Sequence, residues 1–181
     1  MLARIGAFFR SNWLGIRVIA TFLFLITAFF GLLTWKPILR YVDLGAGLAY
    51  LAAWMSFGIL WPLGKIAGFP VHIAGTILGS GPFEVDVAPA CSGAVPTSIY
   101  LSAVLAYPTS WRAKAIGSAL GVGVIHLVNL VRVSALFLVG LYMRAIFHDT
   151  HVYVAQALVV CVAVALWLYW ATRYADAPAT G

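Results

Sequence analysis

The sequence predicts an all-α, multi-pass membrane protein of about four to five transmembrane helices, with an outer-leaflet helix and a small extracytoplasmic β-hairpin. Three observations predict it. First, 64% of the 181 residues are hydrophobic and only 9% are charged, with a mean hydropathy of +1.01; a water-exposed surface needs far more charge. Second, uncharged runs long enough to cross a bilayer recur along the chain, with bases on their flanks. Third, one stretch between them, PVHIAGTIL-GSGP-FEVDVA, changes to period-two alternation around a turn cluster.

The elements follow in order. Met1 to Arg17 carries Arg4, Arg10 and Arg17 among apolar residues, an interfacial lead-in on the cytoplasmic side. Val18 to Trp35 is uncharged and just long enough to span; with no small-residue cleavage site after Phe30, it is expected to be retained rather than removed as a signal peptide. A polar break from Lys36-Pro37 to Asp43 precedes the uncharged run Leu44 to Gly64. An outer-leaflet helix is favoured there over a further span, because a span would force the N-terminal arginines outside or demand an extra crossing. Phe69 to Ala88 supplies the hairpin, two β-rich runs with strict alternation in Phe83-Glu84-Val85-Asp86-Val87. Val87 to Trp111 is the next crossing, helical from Pro96 onward. Arg112 and Lys114 mark a cytoplasmic connector. Ala115 to Tyr142 returns outward, Arg144 to His151 forms a short outer loop, and Val152 to Thr172 crosses back.

This arrangement leaves Arg4, Arg10, Arg17, Arg112, Lys114 and Arg173 inside and Lys36, Arg40, Lys65 and Arg144 outside, a modest positive-inside bias. Residues 1–173 read as a single membrane-embedded domain and residues 174–181 as a disordered tail. The net charge of +6 is spread over helix flanks, which excludes a nucleic-acid interface. Inverted repeats of the kind that build transporters are missing from the sequence. The two cysteines, Cys91 and Cys161, sit at different depths and are expected as separate thiols.

Three residues carry candidate chemistry. Arg132 lies within a span, where an arginine is costly and a functional role is the default; it is eight residues before Gly140, roughly 12 Å below the outer helix end. Asn129, one turn earlier, can hold the guanidinium or a nearby backbone carbonyl. Cys91 stands at a segment mouth between Pro89 and the pair Gly93 and Pro96. A helix start there, with the amides of Ser92 and Gly93, favours a thiolate and can receive an oxyanion. His151 begins the last span near the same surface, with His148 three residues earlier as its competitor. His126 is expected too deep, roughly 21 Å below Gly140, to join a site at the level of Cys91. A thiol, an imidazole and a guanidinium together amount to acyl transfer through a thioester.

These residues resemble the exosortase/archaeosortase family of membrane transpeptidases. Its Cys-Ser-Gly-type motif, Asn-x-x-Arg motif and later His are matched in order by Ala90-Cys91-Ser92-Gly93, Asn129-Leu130-Val131-Arg132 and Phe147-His148-Asp149-Thr150-His151. The stretch from Pro70 to Trp170 is most like the small exosortase H-type members, whose Phe-x-x-x-His-x-Tyr-Val-x-Gln pattern selects His151 over His148; Ser92 and Ala155 stand where those members often have Asn and Trp.

The resemblance implies a membrane-embedded cysteine protease or transpeptidase of the cytoplasmic (inner) membrane, with its site on the extracytoplasmic side. Secreted substrates would carry a C-terminal recognition motif, a transmembrane helix and a basic tail. Cys91 would be the nucleophile, His151 the base and then acid, and Arg132 the oxyanion stabiliser. The acceptor would be an envelope glycan or lipid, or water, and no metal or organic cofactor is implied. Two rival readings come from other considerations: Ser92 as the nucleophile, or a non-enzymatic membrane assembly protein that uses Arg132 for helix pairing.

Overall fold

The computed structural model describes residues 12–35 and 43–175. The lead-in arginines Arg4 and Arg10, the polar break with Lys36 and Arg40, and residues 176–181 of the expected tail lie outside them. Among the described residues five helices longer than two turns carry the chain: α1 (Trp13–Thr34), α2 (Leu44–Ala67), α3 (Ala94–Ala106), α4 (Trp111–Tyr142) and α5 (Ala155–Arg173). A three-stranded sheet, β1 (His72–Ala74), β2 (Ile77–Ser80) and β3 (Phe83–Asp86), lies between α2 and α3. Among the described residues four helical stretches are long and apolar enough to cross a membrane: α1, α2, α4 and Arg144–Arg173. The multi-pass class read from composition therefore holds.

The set of long helices differs from the sequence reading in one place. The run Val87 to Trp111 is no single crossing helix. Its regular part, α3, has 13 residues, about 20 Å at helical rise and short of the roughly 30 Å hydrocarbon core. Pro89 and Gly93 break the chain before it, and Tyr107 to Ser110 turns it after. The helix also starts at Ala94 rather than after Pro96, which sits in its first turn. In contrast, the run favoured as an outer-leaflet helix is one 24-residue helix, α2, capped by the Asp43 carboxylate on the Ala46 amide and closed by Gly68 at φ 80°. Its length and apolar surface serve a crossing as well as a surface helix.

The hairpin is instead an antiparallel sheet of order β1-β2-β3. PVHIAGTIL does not stay one strand because Gly75, at φ 65°, reverses the chain and pairs Ile73 with Leu78. Gly81, at φ 57°, makes the second reversal and pairs Leu78 with Val85. Leu78, Phe83 and Val87 are buried in one cluster with Leu60 of α2 and Val133 and Phe137 of α4, so the sheet covers the late turns of α4. Gly140 permits this contact, since any Cβ there would strike the Phe83 ring.

The helix α4 has 32 residues and takes in Arg112 and Lys114, residues expected from the sequence in a connector. Ser110 caps its start, accepting from the Ala113 amide. Lys114 Nζ donates to the Leu105 carbonyl at 2.6 Å, satisfying the end of α3. At about 48 Å it outruns the bilayer core, and its far end runs under the sheet. The expected outer loop from Arg144 to His151 is itself helical: a 3₁₀ turn, one α turn and a π turn over Thr150–Val154 lead straight into α5. Only Met143 interrupts the helical path.

Candidate active site

Cys91 ends a 3₁₀ turn, Pro89–Cys91, and its amide donates to the Ala88 carbonyl at 2.8 Å. The turn is built locally: Ala88 is extended, as the residue before a proline must be, and Pro89 opens the turn. Gly93 then reverses the backbone at φ 84° to start α3. A Cβ on Gly93 would sit 3.3 Å from both the Asn129 amide and His126 Nδ1. Glycine is needed there twice over, for the backbone angle and for this close approach.

The side chains of α4 and the π turn meet Cys91 from two sides. His151 Nε2 lies 3.9 Å from Cys91 Sγ, although the two are 60 residues apart in sequence. The imidazole stacks on Phe147 with centroids 6.0 Å apart and planes at 14°, and Phe147 packs edge-on against Phe83. From the other side Asn129 Nδ2 donates to the Cys91 carbonyl at 3.0 Å, and Asn129 Oδ1 accepts from Arg132 at 3.3 Å. One asparagine thus holds both the cysteine turn and the guanidinium. Arg132 is 7% exposed and its Nε has no partner among the described residues. A buried guanidinium with an unmet donor and, among the described residues, no paired carboxylate can receive an anion.

The remaining predicted site residues have other places. Ser92 is 0% exposed, and its hydroxyl accepts from the Ala94 amide at 3.2 Å, so it stabilises the turn. Of the two amides expected to face an oxyanion, that of Ser92 is already donating to the Pro89 carbonyl. His148 is exposed and lines no part of the cleft beside Cys91. Cys161 is a free thiol exposed on α5. Among the described residues no three His, Cys, Asp or Glu side chains gather to hold a metal ion.

His126 is where the sequence reading fails. Its ring abuts Gly93, and its Nε2 is 3.5 Å from Thr97 Oγ1 on α3. A depth of roughly 21 Å below Gly140 keeps His126 away only if Cys91 lies near the end of α4. The sheet occupies that end instead, and Cys91 faces Asn129, eleven residues before Gly140, roughly 17 Å along the helix. The cleft beside the thiol is lined by Asp86, Cys91, Phe137, Phe147 and His151, and its free volume is ≈ 30 Å³, about one water. Asp86 carries no local signal of this role, and only the sheet brings it there; Phe147 belongs to the pattern that selects His151, but its stacking on that ring is set by the helical turns before α5. π turns are frequent at functional sites, yet none is legible in Thr150–Val154 as sequence.

No curated protein and no solved structure matches the chain. The family model described as transmembrane exosortase, EpsH type, matches residues 5–170. That stretch takes in the cysteine turn, the Asn129–Arg132 turn and His151 alike, and the chain belongs to the transmembrane exosortase family.

Proposed function

We propose that this exosortase is a cysteine transpeptidase or protease that cleaves the C-terminal sorting signal of secreted proteins at the outer face of the cytoplasmic membrane. The observation that supports it best is the meeting of Cys91 Sγ and His151 Nε2 at 3.9 Å, with a buried Arg132, unpaired with any carboxylate among the described residues, tied to the same turn through Asn129. In the first half-reaction the Cys91 proton passes to His151 Nε2 and sulfur bonds to the scissile carbonyl carbon. The oxyanion that forms is met by a donor of Arg132. His151 then protonates the leaving amine as the C–N bond breaks, which leaves a thioester on Cys91. In the second half His151 takes a proton from the acceptor, a glycan or lipid hydroxyl or amine or water, whose oxygen or nitrogen bonds to the acyl carbon; the C–S bond breaks and the proton returns from His151 to the Cys91 sulfur.

Depth supports the outer site. If Trp111 and Arg112 stand at the inner boundary, α3 and its turns raise Cys91 by only about 20–25 Å, which leaves it just beneath the outer edge of a roughly 30 Å core. A substrate held as a membrane helix presents its cut site there.

Two rivals are disfavoured by particular atoms. Ser92 as nucleophile conflicts with its burial and its bond to the Ala94 amide. Helix pairing through Arg132 conflicts with a guanidinium turned inward onto Asn129. The deciding experiment incubates the membrane-embedded protein with a reporter carrying a recognition motif, an apolar helix and a basic tail. A hydroxylamine-labile adduct on Cys91, lost in Cys91→Ala and retained in Ser92→Ala, is the expected result. Processing that survives Cys91→Ala would sink the mechanism.

A further inference from the structure

Beside the cysteine turn, on the side toward the start of α4, a groove of ≈ 560 Å³ opens between α2 and α4. We propose that this groove seats the first apolar residues after the scissile bond of a protein substrate. The inference rests on the acyl-transfer reading above and adds the subsite that receives the leaving part.

Size is the first argument. The cleft at Cys91 and His151 holds ≈ 30 Å³ and the groove ≈ 560 Å³, inside the range of about 300–1,000 Å³ typical of ligand sites. A polypeptide has room only in the second. Continuity is the next. Asn129 lines the groove and also donates to the Cys91 carbonyl; His126 lines it and also abuts Gly93. The groove therefore begins at the backbone of the nucleophile's own turn.

Direction agrees with this. From Asn129 the lining runs back to Val122, seven residues or roughly 10 Å toward the start of α4. A chain cut at Cys91 and continuing through the membrane toward that end passes along it. The chemistry selects the occupant. Leu51, Met55 and Leu127 are exposed walls, so the groove is open sideways to a segment arriving through the bilayer. Its only polar side chains, His126 and Asn129, stand at the end nearest Cys91. An apolar helix that starts just after a cut site has unpaired backbone amides at that same end, whereas an acyl chain has nothing polar to offer.

The test uses the full chain in membranes with a reporter that the wild type processes. A Cβ on Gly123 would meet nothing within 4 Å, so Gly123→Leu fills the groove without disturbing the backbone contacts. The expected result is a rise in KM of about tenfold with kcat within about twofold, and an unchanged rate of Cys91 alkylation. An unchanged KM overturns the proposal. In a Cys91→Ala, Cys161→Ala background, Leu127→Cys should form disulfides with reporter cysteines in the first two turns after the cut site, while Leu158→Cys, exposed on α5, should form none. Equal cross-linking at both positions, or none at Leu127→Cys, overturns it. So does a Gly123→Leu protein that only loses a co-purified lipid, which would make the groove a lipid seat. Failure of the underlying reading looks different: the wild type itself would form no thioester with the reporter.

Discussion

Two polar clusters lie along α4, one near its start and one at Asn129–Arg132, and they are finished differently. Near the start, buried and part-buried donors meet carbonyls. Trp170 Nε1 donates to the Ala113 carbonyl at 2.8 Å, Tyr100 OH to the Gly117 carbonyl at 3.2 Å, and Lys114 Nζ to that of Leu105. Gly117 and Gly121 admit the Trp170 and Tyr100 rings against the helix. Trp167 Nε1 is the exception at that end. Around Cys91 the polar groups are held but not satisfied: Arg132 Nε has no acceptor among the described residues, and the thiol and imidazole stand 3.9 Å apart. A satisfied network is worth stability, whereas unmet buried donors cost it and persist where a reaction uses them. The first cluster ties the bundle; the second, on the proposed reading, stays open for a substrate.

Mutations separate the two. Cys91→Ala should have the largest effect, lowering reporter processing by at least about a thousandfold with the melting temperature unchanged; residual turnover near wild type would erase the contrast. Next, Arg132→Lys keeps the charge but loses the planar fork, and kcat should fall by about 10²–10³. Arg132→Met should abolish activity with no loss of thermal stability, because an orphaned buried charge is removed rather than a satisfied pair. A strong destabilisation by that change would mean that the guanidinium is structural. At the other cluster the signs reverse. Trp170→Phe should cost about 1–3 kcal/mol of stability, through one hydrogen bond and some packing, while the folded fraction keeps its kcat; a kcat effect larger than the stability effect would join the clusters functionally.

Gly93→Ala should touch both quantities. It places a Cβ at φ 84° against Asn129 and His126, and should cost about 1–3 kcal/mol while slowing acylation of Cys91. The smallest effect is expected for Ser92→Ala, which removes one hydroxyl bond worth about 1 kcal/mol and should leave processing intact. Thermal melts and single-turnover acylation on the same preparations measure all of these.

Some of this was legible as sequence because it depends on composition and order alone. Apolar fraction and charge placement determined a multi-pass membrane protein, since lipid leaves the backbone few alternatives. The order of Cys91, Arg132 and His151 marked the family, and with Asn129 one turn before Arg132 it marked the candidate site. Tertiary structure decided the rest. Whether PVHIAGTIL was one strand or two depended on Gly75 taking a positive φ. Whether Val87 to Trp111 was a long helix depended on turns that a hydropathy window averages away. The position of His126 beside Gly93 and the opening of the groove depended on how far the sheet sits down over α4, a fact about packing between distant residues. Local residues set what each segment can be; only their contacts set the depth at which they meet.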